Sequence, residues 1–363
     1  MENSAKKRIL ICPLDWGLGH ATRCIPIIRF LQNKNLEVII AADKAPLELL
    51  KKEFPNAEFI RLSGYEITYP DKGFMALKMF AQIPKIIRKI KSEHIQLEKI
   101  ISEKRIDAVI SDNRYGLWTN KIPSVFITHQ LSIQAPFGKN WIRKIIFSYI
   151  KKYDECWIPD VANENNFSGN LSHGIYLLPN TFFIGTLSRF NKNDSEKNNF
   201  EYNVMVLISG PEPQRTNFEK IIFQQFKNTS LKAIVVLGIP ESAEKYTISN
   251  NIQVFSHLDS QQMQKYILAS EIIISRSGYS SIMDLACLQK KAVLIPTSGQ
   301  TEQEYLARYL ADKKIIYSVS QNKFKLVNTL QEAKKTSGFV SLEKNYLFEN
   351  VVEKWLQKNN FLK

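Results

Sequence analysis

Short runs of Val, Ile and Leu, each followed by a polar turn and a stretch with helical spacing, recur along nearly all of this 363-residue chain. In the first half they read RILIC, LEVIIAA, AEFIRL, DAVIS, PSVFIT, ECWIP and FFIG. In the second half they read YNVMVLIS, KAIVVLG, IQVFS, EIIIS, KAVLIP and KIIYSV. Strands that are apolar on both faces are buried on both faces, and so belong to parallel sheets covered by helices. Their alternation with helices predicts βαβ units and an α/β, doubly wound architecture. The chain is too long for one ordinary core, so two Rossmann-like domains are expected. Between the two series lies TLSRFNKNDSEKNNFEY, which is polar, rich in Asn and Lys, and linker-like. The predicted plan is a first domain over 1–187, a linker over 188–201, a second domain over 202–340 and a terminal amphipathic helix over 341–363. Ligands of such sheets bind beyond the carboxyl ends of the strands. The site is therefore expected in a cleft that two parallel sheets face, and its residues just after strands.

Composition narrows the class. An apolar content of 44% with 23% charged residues fits a globular protein rather than a disordered one. The apolar runs are short and interrupted, so none reaches the ~20 residues that span a bilayer. The basic N-terminus precedes a run cut by Asp15 and glycines, which reads as a first strand rather than a signal peptide. Cys12, Cys24, Cys156 and Cys287 are scattered without a CxxC, which argues against disulfides or zinc and for the cytoplasm. The net charge of +14 is uneven. Residues 72–105 hold nine Lys/Arg against three acids, and 139–152 hold five with no acid. Both segments carry apolar residues at helical spacing. They read either as solvated helix faces or as basic amphipathic helices lying on an anionic membrane surface, with Pro84 kinking or breaking the first. No nucleic-acid recognition motif accompanies the charge, and no nucleic-acid partner is expected.

The strand ends carry the chemistry. After the first strand comes DWGLGHATR. Read as a dinucleotide fingerprint, Gly17 and Gly19 fit but the third position is Thr22, with Asp43 near where a ribose-binding acid would lie. Read otherwise, the two glycines permit a tight turn, and His20 opens a helix either as a cap or as a general base aimed into the cleft. After DAVIS come Asp112 and Asn113, with Arg114 and Tyr115 behind them, and after PSVFIT comes His129. These make a polar lining fit for an acceptor, in which a buried Asp can orient His20. In the second half, Ser209 and Gly210 precede a helix whose free N–H groups suit a phosphate. The densest stretch is IIISRSGYSSIMDLACLQKKAVLIPTSGQTEQEYLARYL. There Ser275, Arg276, Ser277 and Gly278 end a strand, Ser280 and Ser281 add hydroxyls, and Asp284 offers a carboxylate to a ribose diol. Glu302 and Gln303 open the next helix, placed for sugar hydroxyls.

This last stretch resembles the nucleotide-sugar motif of family 28 glycosyltransferases with the GT-B fold, a family that includes the lipid-linked N-acetylglucosaminyltransferase of peptidoglycan synthesis. GLGH resembles that family's glycine-rich N-terminal loop, and FITHQ its HE-containing strand end. The chain differs where the phosphate loop reads SGPEPQR rather than a glycine-rich run, and where Leu306 replaces an Asn. The resemblance implies two Rossmann-like domains and nucleotide contacts at Ser275, Arg276, Ser277 and Gly278. It places Asp284 at the ribose, Gln303 at the donor sugar and His20 at the N-terminal-loop histidine. It implies an inverting, UDP-sugar-dependent enzyme of the cell envelope, with N-acetylglucosamine or a relative as the sugar. Its acceptor would be a lipid-linked molecule, a glycolipid or a saccharide, and it would work in the cytoplasm or peripherally on the inner face of the cytoplasmic membrane. No DxD triplet occurs, which agrees with a reaction needing no metal or other cofactor. GLGHATR also resembles a nucleotide-sugar hydrolase of the same fold, and a non-catalytic nucleotide-sugar binder is a further alternative.

Overall fold

The computed structural model describes residues 6–65, 82–133, 138–190, 200–210, 212–227, 229–242, 244–249, 251–339 and 346–362. Most of the expected linker, at 191–199, lies outside the described residues. So do the first part of the basic segment, at 72–81, and residues 341–345 of the expected terminal helix. The chain divides into two compact units. One runs up to Leu187 and takes back the C-terminal 344–363; the other holds Ser188–Glu343.

The first unit is a seven-stranded sheet made of β1 (Arg8–Pro13), β2 (Glu37–Ala42), β3 (Glu58–Arg61), β4 (Ala108–Asp112), β5 (Ser124–Ile127), β6 (Glu155–Ile158) and β7 (Thr181–Phe183). Its order is β3-β2-β1-β4-β5-β6-β7. Every pairing is parallel, as the continuous apolar runs demand. The order reverses between β1 and β4, where α1 (Gly19–Asn33) begins. Helices α2 (Lys44–Glu53), α3 (Ile83–Lys104) and α4 (Lys139–Ile150) complete the layers. Residues 66–81 lie outside the described ones, α3 begins at Ile83, and Pro84 sits in its first turn. There its missing N–H would have had no intrahelical partner, so it starts the helix.

The second unit repeats the plan with β8 (Tyr202–Leu207), β9 (Ala233–Val236), β10 (Lys245–Ser249), β11 (Ile252–Phe255), β12 (Ser270–Ser275), β13 (Lys291–Leu294) and β14 (Tyr317–Ser318), in the order β10-β11-β9-β8-β12-β13-β14. Strand β10 is an addition to the sequence reading, and it pairs antiparallel to β11 with a register shift between Thr247 and Ser249. It lies on the sheet edge with Tyr246 and Ile248 exposed, so it lacks the doubly buried apolar run that betrays the others. The helices are α5 (Gln214–Phe226), α6 (Ser260–Leu268), α7 (Tyr279–Cys287), α8 (Thr301–Asp312) and α9 (Leu326–Lys334). Phe218, Ile222 and Phe226 of α5 and Leu326, Leu330 and Ala333 of α9 pack with the sheet's inward residues in one core.

The terminal helix α10 (Tyr346–Lys358) belongs to the first unit. Trp355 meets Trp157 edge-on at 5.5 Å and Phe348 meets Phe30 at 5.9 Å. Lys34 and Lys358 reach Glu353 and Glu155 at 2.7 and 3.1 Å. Its apolar stripe is what the amphipathic pattern offered; the partner is a residue of β6, nearly two hundred positions earlier. All four cysteines are free thiols. Burial pushes Cys12 up to about 12, and raises Cys24 and Cys156 as well, which leaves these as inert core thiols.

Candidate active site

The switch point of the first unit gathers five side chains. Register sets Pro13 of β1 against Asp112 of β4, and Asp112 against Ile127 of β5. The chain then leaves β1 through Leu14, whose N–H donates to the Asp112 carbonyl at 3.0 Å, and turns at Gly17. Gly17 has φ of +78°, a left-handed conformation that glycine adopts without steric cost. Helix α1 starts two residues later, and positions i, i+3 and i+4 of a helix share a face. His20, Arg23 and Cys24 hold those positions, and all three meet Asp112.

His20 Nδ1 lies 3.0 Å from Asp112 Oδ1. Arg23 grips the same carboxylate from Nε, 2.5 Å from Oδ2, and from Nη2 onto Oδ1. Its Nη1 donates to His129 Nδ1 at 2.9 Å, and Nη2 is also 2.9 Å from His20 Nδ1. The Cys24 thiol points at Asp112 Oδ2 from 3.6 Å. Asp112 and Arg23 are buried, and His20 keeps 14% of its side chain exposed. Burial alone would raise the Asp112 carboxyl, but the charge of Arg23 and the His20 imidazole outweigh it and hold the group well below the usual carboxylate range. Asp112 is therefore a fixed anion with Nδ1 of a partly exposed imidazole against it. Asn113 takes a left-handed turn with φ of +57° and accepts from Thr128 Oγ1 at 3.3 Å, which ties the ends of β4 and β5 together.

Behind this cluster Arg114 and Glu93 form a fully buried pair, Nη2 to Oε1 at 2.8 Å. Arg114 also donates to the carbonyls of Leu62 and Ser63, and Tyr65 donates to Glu93 Oε2 at 2.9 Å. Burial raises the Glu93 carboxyl despite these partners. The pair fixes the loop after β3 and α3 to the end of β4, so Arg114 serves the scaffold.

The second unit's switch point lies between β8 and β12. Arg276 follows β12 and is 1% exposed, with its guanidinium 4.1 Å over the Phe218 ring. It donates to the carbonyls of Ile295, Pro296 and Gln214 and to Gln321 Oε1. Among the described residues it meets no carboxylate, its Nε has no partner, and burial pushes it down to about 10. Ser275 is buried, and Ser277 Oγ donates to the Gln303 carbonyl at 2.8 Å. Gly278 caps α7, with Ser280 and Ser281 half-buried in its first turn. Gln303 Oε1 accepts from the Thr297 N–H at 2.9 Å, and Glu302 is half-buried beside it. Ser209 and Gly210 follow β8, Gly210 at a φ of +115°. An acid from just before α5 already bonds its first turn: Glu212 Oε2 accepts from the Thr216 N–H at 3.2 Å.

Asp284 is buried on α7. Its Oδ1 accepts from Ser188 Oγ at 2.7 Å and its Oδ2 is 3.5 Å from Arg189 Nε. Burial raises this carboxyl despite both donors. Ser188 and Arg189 fall at the start of the expected linker and were not singled out in the sequence. Arg23 was missed too, although it closes the very motif GLGHATR. Its spacing of three from His20 was the available signal. Among the described residues no group of three or more His, Cys, Asp or Glu is placed to hold a metal ion.

The comparisons agree with this architecture. Over 96% of this chain and 100% of the other, the fold matches the glycosyltransferase SnogD from Streptomyces nogalater, with a TM-score of 0.62 at 12% identity. The chain is a glycosyltransferase with the GT-B fold. Residues 206–346 match the glycosyltransferase family 28 C-terminal domain. It is 25% identical over 332 residues to an uncharacterised glycosyltransferase of Methanosarcina acetivorans, covering 84% of this chain and 81% of that one. It is also 24% identical over 356 residues to a Mannheimia succiniciproducens enzyme, covering 90% of this chain and 89% of the other. That enzyme is named UDP-N-acetylglucosamine–N-acetylmuramyl-(pentapeptide) pyrophosphoryl-undecaprenol N-acetylglucosamine transferase.

Proposed function

We propose that the protein transfers a sugar, N-acetylglucosamine or a close relative, from a UDP-sugar to a hydroxyl of a lipid-linked or saccharide acceptor, with inversion at the anomeric carbon. The observation that carries this reading is His20 Nδ1 at 3.0 Å from a carboxylate held ionised by Arg23. With Nδ1 turned to Asp112, Nε2 keeps its lone pair and accepts the acceptor's hydroxyl proton. The hydroxyl oxygen attacks the anomeric carbon on the face opposite the nucleotide. The bond from that carbon to the diphosphate breaks, and UDP leaves with the electron pair. The growing negative charge on UDP is met by Arg276, a buried cation with no acid of its own among the described residues, and by the N–H groups opening α7. Gln303 and Glu302 take the sugar hydroxyls and Asp284 the ribose. The donor named for the Mannheimia relative supports the UDP-sugar.

The first unit's surface supports an acceptor held at a membrane. On α3, Lys85, Arg88 and Lys91 are exposed beside Ile87; on α4, Lys144 is exposed beside Trp141 and Ile145. Ile86 and Ile90 of α3 and Tyr149 of α4 join one apolar cluster with Leu14 and Trp16 of the loop that leads to His20. Such faces suit an anionic membrane holding a lipid-linked acceptor. No helix among the described residues is long and apolar enough to cross a membrane.

A thermal-shift screen of nucleotides and nucleotide sugars tests the donor. UDP compounds at about 100 times their dissociation constant add about 2.7 kcal/mol of stability, and a screen in which they give no shift overturns the reading. Incubation with the stabilising UDP-sugar then tests the reaction: slow release of free sugar is expected without an acceptor, whereas rapid stoichiometric release replaces transfer by hydrolysis. Liposome flotation tests the membrane, with equal recovery on neutral and anionic vesicles removing electrostatic docking.

A further inference from the structure

Arg23 does more at the first switch point than neutralise Asp112. Two of its nitrogens, Nε and Nη2, already satisfy that carboxylate. Its third, Nη1, goes to a second imidazole, His129, which arrives from a different strand end. A guanidinium has donors and no acceptor, and a carboxylate has acceptors and no donor. Each neutral imidazole carries one ring proton, and the neighbour of Nδ1 decides where it sits. His129 Nδ1, 2.9 Å from Arg23 Nη1, must present a lone pair, which sends the ring proton to Nε2. His20 Nδ1 has two suitors, Arg23 Nη2 at 2.9 Å and Asp112 Oδ1 at 3.0 Å. Nη2 spends one hydrogen on that same Oδ1, and the ionised carboxylate has no proton to give. The 3.0 Å contact to Asp112 is therefore a hydrogen bond only with the ring proton on His20 Nδ1, a demand that no anion makes in the Arg23 contact of His129.

We infer that Arg23 is a positioning residue that sets the two strand-end imidazoles in opposite roles: His20 with its proton on Nδ1 and a lone pair on Nε2, His129 with a lone pair on Nδ1 and its proton on Nε2. One ring takes a proton and the other offers one. That combination suits a hydroxyl, which both donates and accepts, rather than a phosphate oxygen, which only accepts at neutral pH. Among the contacts these rings make are Asp112 from β4 and Arg23 from α1, with the Cys24 thiol on the far oxygen of the same carboxylate. The consequence for turnover rests on the transfer reading above; the proton positions do not.

The test is long-range ¹H–¹⁵N correlation of the whole chain labelled at histidine, at neutral pH, with H20Q and H129Q used for assignment. Wild type is expected to show His20 protonated on Nδ1 and His129 on Nε2. Arg23→Lys keeps a positive charge beside Asp112 but, with one ammonium, cannot reach all three partners. It is expected to let His129 average between its two tautomers, and to lower kcat for transfer ten- to a hundredfold with the KM for the UDP-sugar unchanged. A urea melt of the same variant gives the folded fraction by which kcat is scaled. His129 protonated on Nδ1 in wild type overturns the inference. So does an R23K protein whose tautomers and kcat per folded molecule match wild type, because a purely structural ion pair would behave that way. Wild-type tautomers as stated, in a protein that transfers no sugar from any UDP donor, would instead sink the transfer reading and leave this one standing.

Discussion

The two units share a parallel core with one reversal of strand order, and they end the equivalent strand beside it in opposite ways. Strand β4 in the first sheet and β12 in the second each lie beside the sheet's first strand, at the reversal of strand order. The first ends in Asp112, an anion paired with Arg23 and bonded to an imidazole. The second is followed by Arg276, a buried cation held by carbonyls and Gln321 with no carboxylate among the described residues. A compensated pair can orient and exchange protons without drawing in an ion. An uncompensated buried cation is costly until an anion arrives. The same scaffold position thus carries a compensated anion in one unit and, among the described residues, a cation without a carboxylate in the other.

The sharpest way to break this contrast is His20→Ala. It is expected to slow transfer by about 10²–10⁴-fold, the usual worth of a positioned general base, while UDP affinity measured by calorimetry stays at the wild-type value. A variant that loses UDP binding instead would place His20 on the wrong side of the division. Asp112→Asn should follow, because it removes the buried carboxylate that Arg23 grips through two nitrogens. The expected cost is about 3–5 kcal/mol in urea unfolding at pH 7. Its pH dependence has a definite sign. The folded carboxyl lies below its unfolded value of about 3.9, so its stabilisation is complete above that pH and is lost as the pH falls through the folded value. The gap between wild type and D112N should accordingly narrow in acid and stay constant from neutral upward.

Arg276→Lys sharpens the other half. A lysine keeps the charge but not the planar fork, and a hydrogen bond to a charged group is worth about 1.5–3 kcal/mol. UDP affinity should fall by about ten- to a hundredfold, with the His20 and His129 ring protons undisturbed in the NMR spectrum. The smallest effect is expected at Asp284, where burial raises the carboxyl above its ordinary value. The folded state then binds the proton more tightly than the unfolded one. Stability from this group is greatest below the ordinary carboxylate range and declines as pH rises through the folded value, the reverse of Asp112. Urea midpoints of wild type and Asp284→Asn across pH 3 to 8 should show the wild type losing ground as pH increases. A curve that parallels the D112N series would erase the distinction between the two acids.

The strands of both sheets were readable because a doubly buried strand must be apolar at every position, and β10 escaped because an edge strand need not be. Candidates at strand ends were readable for a related reason: in parallel sheets every strand delivers its next residues to the same edge. His20, Asp112 and His129 could thus be placed at one rim from their positions after β1, β4 and β5. Partnership was not readable. That Arg23 bonds Asp112 and both histidines needs the helix phase and the strand register together. That Ser188 and Arg189 hold Asp284 joins residues 96 and 95 positions apart.

The amino-acid sequence by itself determined the elements, their alternation, the parallel sheets and the polar residues at the strand ends, because local patterning and βαβ connectivity suffice for these. The tertiary structure alone decided which charges are neutralised, which tautomers the rings are steered toward and that the last helix returns to the first unit. Those depend on distances between residues far apart in the chain, and hydrogen bonds and ion pairs fall off within a few ångströms.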